Sequence, residues 1–263
     1  VGCYDDGEGY LQMVFLDDDE IPLVQGMMNR NNPLDFKLEY TRQQVTAALS
    51  VDPMPSRVLV LGLGVGAIPR TLRALYPELT VDVVEIEMKV IKAAVSYFKL
   101  RDDPERFRLY NADAVEFVKR NESKGAYDVV FMDAYNAQGI PEVLRTREFY
   151  DDMLSCVRPN GLLSINLIND TQGADTVLDY AQDYLVDPLL IRTQESENMA
   201  IFGVKKDSLT ETISTSRILE RMKERAVAVD RRMMLPYALG PQVSRTERLD
   251  AVRERNFDWT LPP

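Results

Sequence analysis

The chain contains no histidine. That absence removes Ser-His-Asp and Cys-His catalysis, imidazole-ligated metal sites and histidine acid–base chemistry. Proton transfer then falls to Asp, Glu, Tyr, Lys, Cys or water. Cysteine is scarce as well. Cys3 and Cys156 stand far apart and outside any spaced motif. This argues against a disulfide framework and a zinc-thiolate site, and it suits a reducing intracellular compartment, the cytoplasm by default, with organelle import left open. No apolar run is long enough to span a bilayer and no signal peptide is visible, although the start at Val1 suits a processed or trimmed product. Positive charge is in deficit, with 31 Lys and Arg against 42 Asp and Glu and a net charge of −11. A nucleic-acid partner is disfavoured and a cationic substrate suits this field, while acidity also serves plain solubility.

What is present is a chain of 263 residues, 45% hydrophobic and 28% charged, enough for one large domain with appendages. Residues 1–36 read as a small β element, with apolar runs over 10–16 and 21–27 around the acidic loop Asp17-Asp18-Asp19-Glu20. The loop lacks the spacing of a calcium site and reads as a solvated turn. From 37 to 204 the pattern alternates helix and strand. Helices are expected over 38–49, 71–76, 89–98, 114–119, 141–156 and 175–185, and strands from Arg57 and Val81, a third ending at Asn111-Ala112-Asp113-Ala114, a fourth from Tyr127, a fifth over 162–167, and a closing pair over 189–193 and 199–204. Arg158-Pro159-Asn160-Gly161 reads as a turn. The expectation is an α/β fold, a Rossmann-like doubly wound sheet of seven strands ending in an antiparallel hairpin. Residues 205–263 read as a helical extension, with helices over 213–229 and 244–255. Its methionines, among them Met222, Met233 and Met234, suit a helix packed on its own sheet better than a docking surface.

The strongest motif is the run from Arg57 to Arg70, RVLVLGLGVGAIPR. An apolar strand ends in Gly62, Gly64 and Gly66, and a helix pattern follows. Glycines let backbone approach a ligand closely, and the helix start presents N–H groups. The third glycine comes two residues after the second, a departure from the dinucleotide pattern that suits an adenosine ligand without pyrophosphate. Glu85 closes the next strand at the spacing of an acid that accepts both ribose hydroxyls. Asp113 reads as a helix N-cap, an adenine-amino acceptor, or both. Asp133-Ala134-Tyr135-Asn136 ends the fourth strand where the reactive end of such a ligand would lie. A carboxylate there can orient an amine and accept its proton, or stabilise its positive charge without moving a proton. Tyr135, Asn136 and Asn166 are the expected substrate contacts beside it.

At these positions the chain resembles the polyamine aminopropyltransferases, the spermidine and spermine synthases. The resemblance runs from about Leu34 to Val204. It rests on the glycine turn, Val84-Glu85-Ile86-Glu87, Asn111-Ala112-Asp113-Ala114, the strand from Tyr127 to Asp133, and Arg158-Pro159-Asn160-Gly161. Glu39-Tyr40-Thr41-Arg42, Thr146-Arg147-Glu148-Phe149-Tyr150 and the tail from Arg217 to Leu239 look closest to a divergent bacterial branch. The resemblance implies a class I methyltransferase-type fold. The implied donor is decarboxylated S-adenosylmethionine, with the intact form as the alternative, and no metal is implied. Glu85 and Ile86 would hold the ribose end, Asp113 and Ala114 the adenine, and Asp133 with Tyr40 the attacking amine. The acceptor would be a small amine or polyamine, with a protein amine as the alternative, and the assembly a homodimer. Two acids of the family pattern are replaced, by Val65 in the glycine turn and by Asn136. The first loss removes a contact to the donor's ammonium, and Glu39 is the candidate compensating acid. Methyl transfer and a non-catalytic scaffold are therefore carried as alternative readings.

Overall fold

A computed structural model of the chain describes residues 1–16, 20–101, 103–136, 138–168, 173–206, 214–233 and 235–254. Most of the acidic loop, Met234 and Arg255 lie outside them. None of the described helices is long and apolar enough to cross a membrane.

Three antiparallel strands open the chain, β1 (Gly2–Asp5), β2 (Tyr10–Leu16) and β3 (Pro22–Asn29), in that order across a small sheet. The sequence pattern predicts only the β2–β3 pair. The four residues of β1 are too few to display an alternation. Helix α1 (Tyr40–Ala47) follows, and then the repeating unit begins. It runs β4 (Arg57–Leu61), α2 (Ala67–Leu75), β5 (Thr80–Glu85), α3 (Met88–Ser96), β6 (Phe107–Asn111), α4 (Ala114–Val118), β7 (Tyr127–Met132), α5 (Arg147–Cys156), β8 (Val157–Ile168), α6 (Ala174–Tyr184), β9 (Leu185–Arg192) and β10 (Asn198–Lys205). The tail supplies α7 (Thr215–Arg232), α8 (Gly240–Ser244), β11 (Glu247–Arg248) and α9 (Leu249–Glu254).

The main sheet has the order β11-β9-β10-β8-β7-β4-β5-β6. Strands β4 to β8 are parallel and β10 runs against both β8 and β9. This is the expected doubly wound sheet, but with eight strands instead of seven. The extra one, β11, pairs with β9 at the edge, and two residues carry no readable period. The single helix expected over 244–255 is accordingly replaced by α8, β11 and α9. Two smaller differences have local causes. The Thr146 hydroxyl accepts from Phe149 N at 3.2 Å and starts α5 afresh, so the helix expected over 141–156 is split. The expected turn at 158–161 is an irregularity within β8, with Asn160 at φ 60° and a shift of register against β7.

Both faces of the central parallel strands are covered, which is why β4, β5 and β7 read as mainly apolar runs, broken only by charged or polar residues such as Asp82 and Asp128. On β4, Val58 and Val60 join the core layer that includes Met222, Ala226 and Val229 of α7, while Leu59 and Leu61 join the opposite layer with Phe149 and Met153 of α5. The tail helix thus packs on its own sheet. Strand order reverses between β4 and β7, whose connections leave in opposite directions, and a crevice opens there at the carboxyl ends of the strands.

Candidate active site

The crevice is shaped first by glycine. Gly62 has φ 96°, and a Cβ on it would lie 2.1 Å from the Asp133 carbonyl oxygen. Only the missing side chain lets the β4 turn sit against the segment leaving β7. Gly66 serves differently. At φ 78° it is the N-cap of α2, a left-handed conformation that favours glycine, and it packs near Leu100. It does not reach the crevice wall, so its part is to form the turn.

A cavity of about 990 Å³ fills the crevice. It is lined by Tyr40, Gly62, Gly64, Glu85, Ile86, Asp113, Ala114, Asp133, Tyr135, Asn136 and Asn166. All the expected site residues except Gly66 therefore meet in one place. Six carboxylates line it, those of Glu39, Glu85, Glu87, Asp113, Asp133 and Glu195, against one cation among the described lining residues, Lys37. Lys37 stands at the rim, 3.3 Å from Glu8 and over the Tyr10 ring.

Glu85 is held at the end of β5 by its own backbone surroundings. Its Oε2 accepts from Leu63 N at 3.0 Å and its Oε1 from Glu87 N at 2.9 Å. Burial raises its pKa, and these amides oppose the rise. Each carboxylate oxygen keeps one further acceptor position. Asp113 caps α4, with Oδ1 accepting from Val115 N at 2.8 Å, and it also lines the cavity, so capping leaves the second oxygen available.

Asp133 is the first residue past β7. Burial pushes its carboxyl up to about 7, partly opposed by the Asn166 amide and reinforced by the nearby Glu85 charge. Asn166 Nδ2 donates to Asp133 Oδ1 at 2.8 Å. The Tyr135 hydroxyl donates to the Asn166 carbonyl at 2.6 Å and accepts from Ile168 N at 3.1 Å, so it ties the β7 and β8 ends together. Tyr40, the first residue of α1, is pushed far above the usual phenol range by burial and then by Asp133 and Tyr135. It therefore acts as a neutral hydroxyl. Asn136 is exposed, and its Oδ1 accepts from Gln138 N at 2.9 Å, which shapes its own loop.

Val65 is buried, with its methyls beside the Gly26 position of β3. Glu39 lines the cavity but is not free. Its Oε1 accepts from Arg245 Nη2 at 2.8 Å and its Oε2 from Gln194 N at 2.7 Å. Sequence reasoning missed Glu195 and Ser196 of the turn between β9 and β10, Asn198 at the start of β10, and the β2–β3 residues Phe15, Leu23, Gln25 and Met27. Neither group carries a motif. Both reach the cavity only through the tertiary fold.

The pattern of the spermine/spermidine synthase domain matches residues 37–177. The polyamine aminopropyltransferase of Vibrio vulnificus is 35% identical over 146 residues, which are 55% of this chain and 48% of that protein. The chain thus spans about half the length of the curated relatives it matches. Among solved structures, the spermidine synthase of Thermotoga maritima superposes with a TM-score of 0.66 at 16% identity, over 98% of this chain and 87% of that one. Human methyltransferase-like protein 13 in complex with SAH gives 0.65 at 20% identity, over 76% and 95%. At these identities the two structures speak for the shared class I methyltransferase-type fold.

Proposed function

This chain belongs to the spermine/spermidine synthase family, and from that premise we propose that it transfers an aminopropyl group from decarboxylated S-adenosylmethionine to a small amine or polyamine. The observation that carries the reading is the acidic cavity lining, with Asp133 among its six carboxylates. Intact S-adenosylmethionine would bring an α-carboxylate into that lining, where Lys37, the one cation among the described lining residues, is engaged by Glu8. The decarboxylated donor and an amine acceptor bring only cations. The open cavity supports a ligand-binding protein over a scaffold.

In this reading Glu85 accepts the two ribose hydroxyls through the acceptor positions left on each oxygen. Asp113 accepts the adenine amino group beside Ala114, and Ile86 packs against the nucleoside. Asp133 takes the proton from the acceptor's ammonium. Its raised pKa makes it a stronger base than an exposed aspartate, while Tyr40 and Tyr135 remain neutral partners around it. The freed amine forms a C–N bond to the methylene beside sulfonium, the C–S bond breaks, and its electron pair stays on the sulfur of methylthioadenosine. No metal is invoked. Pairing of two copies through the β1–β3 sheet belongs to the same reading, and sedimentation at the mass of one chain would remove it.

Calorimetric titration with decarboxylated S-adenosylmethionine, the intact form and methylthioadenosine tests the donor. The decarboxylated form should bind at least about tenfold more tightly than the intact one, the loss expected from one unpaired buried charge. Preference for the intact donor would replace this reading with methyl transfer. Glu85→Ala should weaken methylthioadenosine binding by more than about tenfold, since it removes two charge-assisted hydrogen bonds. Unchanged affinity would remove the ribose assignment.

A further inference from the structure

The hydrogen bonds around Asp133 continue beyond Asn166. The Asn166 side chain has two unlike ends. Its Nδ2 donates to Asp133, and its Oδ1 accepts from Asn198 Nδ2 at 3.1 Å. The Ser196 hydroxyl donates to Asn198 Oδ1 at 2.9 Å, which is consistent with the Asn198 NH2 group facing Asn166. The sequence Ser196, Asn198, Asn166, Asp133 is thus one polar chain with a consistent donor direction.

That direction has a chemical consequence. An amide NH2 beside a carboxylate favours the ionised form, because it can donate to it. An amide oxygen there favours the protonated acid, because only the acid can donate back. A half-turn of the Asn166 side chain would exchange one situation for the other at little steric cost. Nothing in the Asn166–Asp133 pair alone selects between them. The Asn198 donor does.

The turn that leads into Asn198 is itself fixed from two sides. Thr193 N donates to the Asn198 carbonyl at 3.0 Å. Gln194 N donates to Glu39, which Arg245 of the tail grips at 2.8 Å. Arg245 Nη2 also reaches Gln242 Oε1, which accepts from Gln43 of α1 at 3.3 Å. Asn198 is therefore held in place by groups other than the one it positions.

We propose that Asn198 is a positioning residue that keeps the Asn166 NH2 group toward Asp133, and so holds Asp133 in the form able to take the acceptor's proton. The inference rests on Asp133 being the proton acceptor. The other titratable groups facing Asp133 are Glu85 from the end of β5, Tyr40 from α1 and Tyr135 from its own loop. An Asn198 substitution leaves all three unchanged.

The test follows the Asp133 carboxyl carbon by NMR against pH in the full-length protein, with the signal identified by its loss in Asp133→Asn. In Asn198→Ala the titration midpoint should rise by about one pH unit, the scale of one hydrogen bond to a charged group. Asn198→Asp is nearly isosteric and replaces the donor by an acceptor, so its midpoint should rise further. Ser196→Ala, one bond farther out, should move it less and in the same direction. The acid limb of the pH–kcat profile should follow each midpoint, with rate recovered at higher pH and methylthioadenosine affinity unchanged. Midpoints within about 0.2 unit of the parent in Asn198→Ala and Asn198→Asp, well below the effect of a charged-group hydrogen bond, would overturn the assignment. If the parent transfers no aminopropyl group, the kinetic arm fails with the functional reading, and the carboxyl titration alone decides this inference.

Discussion

Asp133→Asn should lower kcat by about 10²–10⁴-fold, the range over which a positioned general base contributes, while methylthioadenosine binds as before. The amide keeps the shape of the carboxylate and its place beside Asn166 but cannot take a proton. Steady-state turnover measured beside product-binding calorimetry separates the two effects. Turnover within about threefold of the parent, far short of a general base's contribution, would remove Asp133 from the proton path. The same variant makes a second, independent prediction about stability. The folded-state pKa near 7 lies above the unfolded value of about 3.9. The native state therefore binds the extra proton between those values. The associated stability is fully present below about pH 4 and is lost as pH rises through about 7. Asp133→Asn removes this dependence, so the ligand-free variant should exceed the parent by about 1–3 kcal/mol at pH 8 and gain nothing near pH 4. Urea midpoints at the two pH values measure it, and an equal gain at both would show that the carboxyl is not desolvated.

Gly62→Ala should be the most damaging conservative substitution in the crevice. The added carbon would lie 2.1 Å from the Asp133 carbonyl oxygen and 2.7 Å from its carbon, and both are backbone atoms that no rotamer can move. The left-handed φ of 96° adds its own cost for any residue with a side chain. Relief requires the turn after β4 to separate from the end of β7. Together these effects should destabilise the fold by about 3 kcal/mol or more and abolish donor binding, because Leu63 N and the Asp133 carboxyl would both leave their places. Gly64→Ala is the contrast. Its nearest neighbour outside the turn is the Gln25 carbonyl at 3.6 Å, so only the conformational cost applies. Thermal unfolding of the two variants ranks them, and equal losses would mean that close packing at Gly62 is not what the turn requires.

The parallel half of the sheet was legible because β4, β5 and β7 are built on apolar β-branched runs and the ends of β5, β6 and β7 lead into residues with a chemical signature. Glu85, Asp113 and Asp133 could be named from the strand ends alone, since in such sheets that edge is where backbone turns back and leaves a crevice. The side of the cavity lined by the glycine turn, Glu85 and Asp113 follows from short-range pattern. The side beside Ser196 and Asn198 does not. Ser196 sits in a polar turn that reads like any other hairpin connection and Asn198 opens the strand after it, and their relation to Asp133 exists only because β10 lies beside β8. Glu39 was legible as an acid near the site but not as a paired one, because Arg245 is contributed from the far end of the chain. Strand β11 escaped for a related reason. Two residues become a strand by finding an edge, and the edge is a property of the assembled sheet.

The contact between Arg245 and Glu39 joins residues 206 positions apart, and this bears on the order in which the molecule matures during synthesis. Strands β4 to β7 and the glycine turn are complete once the first half of the chain has left the ribosome, and with them the walls that would hold the nucleoside. The turn of residues 193–198 receives its grip from Arg245 only some fifty residues after it is made. In the proposed reading, a nascent chain therefore acquires the nucleoside wall early and the fixed turn beside Asp133 late. Chains arrested before Arg245 should retain methylthioadenosine on an affinity matrix while turning over poorly, so capacity to bind precedes capacity to react.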